Sequence, residues 1–279
     1  MRVLVTGSDG LIGTNILPFL RERFEVIPVL EKDWDITDRQ AGVEVMRLVR
    51  PDVLINLAAI TNVDGCEDDP ESAFRVNGEA PATLAMLCSD FAVRLVHFST
   101  DYVFDGTKES PYSEEDPPNP LSVYGKSKLL GEKNVLKFGR GATIVRTEWI
   151  YGHGGENFVT KVLDIARQTG HVEVVDDQWG SPTYAKDLGP PVAALIEHKK
   201  TGIYHVTNSG SCTWYRFAAT IFAFLGLDVV CSPISSERLN RRAKRPAMSV
   251  LDCRKVLMDT NLPLRGWEIA LKEYLAGLQ

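Results

Sequence analysis

RVLVTGSDGLIG, running from Arg2 to Gly13, reads as a buried strand (Arg2–Thr6), a glycine turn and the start of a helix (Leu11–Arg23). That order of parts makes an anion site. Backbone N–H groups and the helix dipole face a pyrophosphate, and the missing side chains at Gly7, Gly10 and Gly13 permit close approach. The spacing is G-x-x-G-x-x-G, which differs from the dinucleotide fingerprint G-x-G-x-x-G.

Outward from this turn, short apolar runs alternate with amphipathic segments. Strands are expected at Glu25–Leu30, Val53–Leu57, Val93–Ser99 and Ala142–Arg146, with helices at Asp38–Arg50, Pro70–Asp90 and Ser122–Lys137 between them. Strands apolar on both faces and separated by helices predict a parallel, doubly wound α/β sheet of Rossmann type. Pro28 suits an edge strand better than a central one. Past Arg146 the regularity falls. Helices are expected at Glu156–Gln168, Tyr184–His198, Thr213–Phe224 and Trp267–Gly277, and a strand at Ile203–Thr207 returns to the sheet. The aromatic and Ala stripe in Thr213–Phe224 reads as core packing. Residues 1–147 plus about 184–207 are expected to form the dinucleotide-binding domain. A smaller, C-terminal substrate-binding region takes about 148–183 plus 208–279.

Composition narrows the class. The 279 residues are 44% hydrophobic and 24% charged, an ordinary globular mixture. A formal charge of −6, from 31 basic and 37 acidic residues, argues against a nucleic-acid partner bound through a basic face. The one dense basic cluster, Arg238, Arg241, Arg242, Lys244 and Arg245, reads as a solvated face. Five scattered cysteines without a C-x-x-C pair suggest reduced thiols. No metal site is expected. No signal peptide and no apolar stretch of the roughly 20 residues that span a bilayer are seen, so a cytoplasmic chain without membrane contact is expected.

The second strand should end near Glu31, 18 residues beyond Gly13, where a carboxylate can accept hydrogen bonds from ribose hydroxyls. Lys32 beside it can instead meet a 2′-phosphate, so NADH and NADPH both stay open. Asp35-Ile36 in DITD and Ala58-Ala59 after the third strand lie where a cofactor crosses the strand ends. Tyr124 and Lys128 form Y-x-x-x-K. On a helix this step is about 400°, which puts both side chains on one face. An ammonium near the phenol is expected to lower its pKa from about 10. The pair is then an acid for the oxygen that forms when hydride attacks a carbonyl carbon. A hydroxyl from Ser99 or Thr100, at the end of the preceding strand, completes the set.

The turn TGSDGLIG resembles that of extended short-chain dehydrogenases. STDYVFDG (Ser99–Gly106), NPLSVYGKSKLLGE (Asn119–Glu132), DDQWGSPTYAKDL (Asp176–Leu188) and RPAMSVLD (Arg245–Asp252) resemble the dTDP-4-dehydrorhamnose reductase family. With DWDITD and NLAAITNVDGCE, the likeness covers essentially the whole chain. It implies NAD(P)H-dependent reduction of the C4 ketone of a dTDP-4-keto-6-deoxyhexose to dTDP-L-rhamnose. Thr100 would orient the substrate, Tyr124 would donate the proton and Lys128 would be its partner. Gly7, Gly10, Leu11, Ile12, Gly13, Glu31, Asp35, Ile36, Ala58, Ala59, Thr61, Tyr124 and Lys128 would hold the cofactor. Val63, Thr100, Asp101, Tyr102 and Trp149 would line the substrate pocket, and Arg245 would suit the diphosphate. Two positions depart from the pattern: Glu31, where many relatives are basic, and Ile60, where the family often has Tyr. A homodimer is compatible with these expectations. The same family also resembles the regulatory subunit of methionine adenosyltransferase, a non-catalytic alternative. A reductase or epimerase of another nucleotide sugar is a further one.

Overall fold

The computed structural model describes residues 1–278. In chain order the N-terminal half runs β1 (Arg2–Thr6), α1 (Leu11–Arg21), β2 (Glu25–Val29), α2 (Arg39–Val49), β3 (Val53–Asn56), α3 (Val63–Asp68), α4 (Pro70–Phe74), α5 (Ala80–Asp90), β4 (Arg94–Thr100), α6 (Val123–Phe138) and β5 (Thr143–Thr147). There follow β6 (Ile150–Tyr151), α7 (Phe158–Thr169), β7 (His171–Val175), β8 (Trp179–Gly180), β9 (Thr183–Tyr184), α8 (Gly189–Glu197) and β10 (Gly202–His205). The chain closes with β11 (Cys212–Thr213), α9 (Trp214–Leu225), β12 (Val230–Ile234), α10 (Arg254–Thr260) and α11 (Trp267–Ala276).

Six strands form one parallel sheet in the order β10-β5-β4-β3-β1-β2. Period-two alternation gives the sheet two apolar faces. Val3, Val5, Ile55, Val96 and Val145 pack under α1 and α8, whereas Leu4, Leu54, Leu95 and Ile144 pack under α2, α5 and α6. The chain leaves β1 for β2 on one side and returns to β3 on the other. The strand order therefore reverses between β1 and β3, and a crevice opens at their carboxyl ends. Pro28 sits in β2, the edge strand, where its missing N–H costs no ladder bond. β10 forms the opposite edge, as the returning strand predicts. A separate apolar cluster, with Tyr151, Val159, Phe217, Ile221, Trp267 and Tyr274, underlies the C-terminal elements.

Several elements differ from the sequence reading. Pro70–Asp90 is not one helix: a π turn, Arg75–Glu79, separates α4 from α5. That bulge points Asn77 at the loop after β3, where its side chain accepts from Ile60 N at 2.8 Å and donates to Ile60 O at 2.9 Å and to the Ser127 hydroxyl at 3.1 Å. The segment from Tyr184 starts as β9 and a 3-10 turn, so its α-helix begins only at Gly189. The parallel pair β7–β12 and the short helices α3 and α10 were not anticipated. At the end of β5 the Arg146 fork meets both oxygens of Glu132 on α6, at 2.8 and 2.7 Å, with both side chains 2% exposed. Among the described residues, no helix is long and apolar enough to cross a membrane and no group of three or more His, Cys, Asp or Glu gathers to hold a metal.

Candidate active site

β1 ends in Gly7, whose φ of +63° lies in the left-handed region. A Cβ there would come within 2.6 Å of Ala58 N, so the turn is nested against the end of β3. A Cβ on Gly13 would strike the Ser8 backbone, which explains close contact between α1 and the turn. Gly10 has a different part. It is the N-cap of α1, no side chain caps the helix, and its first turn holds no acidic residue. A Cβ on Gly10 would meet only Gly7 O, at 3.2 Å. The positive end of α1 is thus left to an external anion, and the cradle fits a dinucleotide pyrophosphate.

Two adjoining cavities meet at Gly7, Gly10, Leu57 and Ala59. One, about 380 Å³, is lined by Glu31, Asp35, Ile36, Ala58 and Arg75. The other, about 490 Å³, is lined by Leu11, Ile12, Gly13, Thr61, Val63, Thr100, Asp101, Tyr102, Tyr124 and Trp149. Glu31 lies one residue later than expected relative to its strand, since β2 stops at Val29 and Leu30–Trp34 turns back through Asp33 N–H and Trp34 N–H to Leu30 O.

Ser122 caps α6 by accepting from Gly125 N at 3.1 Å, and this fixes the helix that carries Tyr124 and Lys128. Lys128 is 3% exposed and its Nζ donates to Phe98 O at 2.7 Å. Burial lowers its pKa to about 8. Tyr124 is half-buried and faces the Thr100 hydroxyl. Its pKa is raised, chiefly because burial disfavours the phenolate and despite the neighbouring Thr100 hydroxyl, which acts the other way. This corrects the expected depression: the Lys128 ammonium is engaged with a backbone carbonyl, and desolvation wins. The phenol therefore holds its proton through neutral pH, the state an acid needs. Thr100, not Ser99, is linked onward, donating from Oγ1 to Asp101 Oδ1 at 2.9 Å, while Ser99 Oγ is buried without a partner.

Trp149 adopts φ +48°, a strained backbone for a bulky side chain. It stacks on Trp214 at 3.5 Å between ring centroids and 8° between planes, and Gly180 packs so close to the indole that a Cβ there would strike it. Trp149 is therefore a cleft wall and not core. Arg245 does not line either cavity. Its fork is held by Asp64 of α3, at 3.1 and 2.8 Å, which keeps the Asp64 carboxyl below its usual range. Arg242 pairs with Asp68 and Arg238 with Glu173, so most of the basic cluster is a paired surface.

A family model described as RmlD substrate binding domain matches residues 1–279. The chain is 41% identical to the spore coat polysaccharide biosynthesis protein SpsK of Bacillus subtilis over 98% of this chain and 96% of that one. It is also 41% identical to the dTDP-4-dehydrorhamnose reductase of Streptomyces griseus, over 99% of this chain and 94% of that one. The chain belongs to the dTDP-4-dehydrorhamnose reductase family. A crystal structure of the Bacillus anthracis dTDP-4-dehydrorhamnose reductase in complex with NADP has a TM-score of 0.96, at 34% identity and 99% coverage of each chain.

The family likeness did not point to every residue at this site. Arg75, Glu148, Phe158 and Trp214 line the cavities and were not singled out. Trp214 was read with the stripe that follows it. Phe217, Ala218, Ile221 and Phe222 are core, but Trp214 at the first position of α9 turns to the cleft. Arg75 is delivered by the π turn, which has no sequence signature.

Proposed function

We propose that this protein reduces the C4 ketone of dTDP-4-dehydrorhamnose to give dTDP-L-rhamnose, using NADPH or NADH. The observation that carries this reading is that Thr100 and Tyr124 line the same cleft as the glycine cradle, with Lys128 buried on the helix that carries Tyr124. Gly7, Gly10 and the N-terminus of α1 would hold the pyrophosphate. Asp35, Ile36, Ala58 and Ala59 would flank the adenosine half. When bound, the reduced nicotinamide supplies the hydride for the ketone carbon. Tyr124 gives its phenolic proton to the oxygen that becomes anionic, and Thr100 orients that oxygen. Lys128 spends one N–H on Phe98 O and offers the others to the nicotinamide ribose.

Val63, Asp101, Tyr102 and Trp149 are proposed to contact the sugar or base, with the Trp149 indole as a flat wall. Arg245 is proposed to reach the diphosphate alongside its Asp64 partner. The division into 1–147 plus about 184–207 and the remainder is proposed as the split between cofactor and substrate roles. A dissolved nucleotide sugar and a dissolved dinucleotide are the ligands of a cytoplasmic enzyme under this reading. The test is a panel of dTDP- and UDP-linked 4-ketosugars assayed with NADPH and with NADH by nicotinamide absorbance. Turnover of dTDP-4-dehydrorhamnose above the rest of the panel is expected. Preference for a UDP sugar, or no turnover of any member, overturns the assignment.

A further inference from the structure

Two carboxyl groups lie side by side at the floor of the cleft, and the chemistry above leaves one of them without a part. β4 and β5 run parallel with Thr100 paired to Thr147, so the next residues, Asp101 and Glu148, leave neighbouring strand ends together. They are 3% and 1% exposed. Asp101 Oδ1 accepts from the Thr100 hydroxyl at 2.9 Å, and its Oδ2 is buried without a partner. Glu148 Oε1 accepts from Leu251 N at 3.1 Å, and the Ser249 hydroxyl, 3.5 Å from Glu148 Oε2, lies against both carboxyls. The titratable groups that face the pair are Tyr102 and Tyr124 in the cleft and the thiols of Cys212 and Cys253 behind it. Burial pushes all four up, so none carries charge near neutrality. Two adjacent buried carboxyls without a countercharge do not both ionise.

We propose that Asp101 and Glu148 form a proton store that reloads Tyr124 through the Thr100 hydroxyl after each reduction. The inference rests on the reductase reading above. When the Tyr124 O–H bond breaks, an O–H bond forms on the product oxygen and a phenolate is left. Thr100 gives its hydroxyl proton to that phenolate and takes the Asp101 carboxyl proton, and Asp101 is refilled from Glu148. One proton leaves the pair per turnover and one returns from solvent; no electrons move. A hydroxyl both donates and accepts, so the Thr100–Asp101 contact serves in either direction once Asp101 is protonated. Burial raises Asp101 to about 7 and Glu148 well above its ordinary range, while Tyr124 is held higher than Asp101, so transfer from Asp101 to the phenolate runs downhill.

Glu148→Gln keeps the side-chain volume and removes the stored proton. In a single turnover with enzyme in excess, Tyr124 starts loaded and the variant should match wild type. In steady state, one pH unit above the point where Asp101 ionises in the variant, the variant should be slower than wild type by about tenfold, because wild type still has the Glu148 proton to draw on. Equal slowing of the first turnover and the steady state overturns the store, as does a steady-state rate equal to wild type. Infrared difference spectra supply a readout that needs no substrate. A carboxylic-acid C=O band should persist above neutral pH in wild type and vanish in Glu148→Gln; its absence from wild type overturns the store. If wild type reduces no ketosugar while keeping that band, the activity assignment fails and the shared proton stands.

Discussion

Tyr124 keeps its proton because burial outweighs the opposing influence of the neighbouring Thr100 hydroxyl. Tyr124→Phe retains the ring and removes only the transferable proton. The expected outcome is intact dinucleotide binding with turnover reduced on the order of 10²–10⁴-fold, measured as kcat beside a cofactor titration. Near-normal kcat would remove the phenol from the mechanism. A second residue-scale contest is expected to set cofactor choice. Exposed Glu31 and exposed Arg75 line one cavity with opposite charge, and Arg75 helps hold the carboxyls of Asp35 and Asp69 low. Glu31→Ala should move preference toward NADPH and Arg75→Ala toward NADH, each several-fold, since a screened surface charge is worth about 1 kcal/mol. The readout is the ratio of kcat/KM for the two cofactors at fixed ionic strength. A ratio unmoved by Arg75→Ala would show that the guanidinium points away from the ribose.

At the scale of elements, α6 carries Tyr124 and Lys128, and Glu132 ties that helix to β5 through the buried Arg146 fork. Glu132→Ala leaves a guanidinium buried and unpaired, and should cost about 3–5 kcal/mol of stability. Denaturant unfolding checks this, and a loss under about 1 kcal/mol would show that water or His205 takes over the charge. The legibility of each element followed the range of its contacts. The Gly7–Gly13 turn, edge Pro28 and the Tyr124–Lys128 step are local, so spacing alone placed them. β7 and β12 pair across more than fifty residues and read as ordinary loop until the partner is seen. Glu148 acquires a role only because β4 and β5 end together, and the Trp149–Trp214 stack joins two distant parts of the chain. The depressed phenol pKa was the opposite case. The spacing was right, but desolvation is a property of the folded surroundings and not of the pair.

For the molecule as a whole, four buried groups set how stability follows pH between 4.5 and 6.5, the ordinary values of Glu and His. Burial depresses His97 and takes His205 to about 3, so the unfolded chain binds more protons there and stability rises with pH. Asp101 and Glu148 are raised, so the folded chain binds more protons and stability falls with pH. The two pairs oppose, and a nearly level profile is expected across this window. Glu148→Gln removes one falling contribution, so its stability should climb relative to wild type by about 1.4 kcal/mol per pH unit. Parallel profiles would mean that Glu148 ionises as an ordinary carboxyl. The position of β10 has a consequence of another kind, for the chain while it is being made. β5 is synthesised long before the strand that flanks it, and until Gly202–His205 arrives its outer edge is an unpaired, apolar template. A ribosome paused in the 148–201 stretch would thus hold out a strand that a neighbouring nascent chain can pair with, so translation speed through that stretch bears on how much of the protein escapes aggregation.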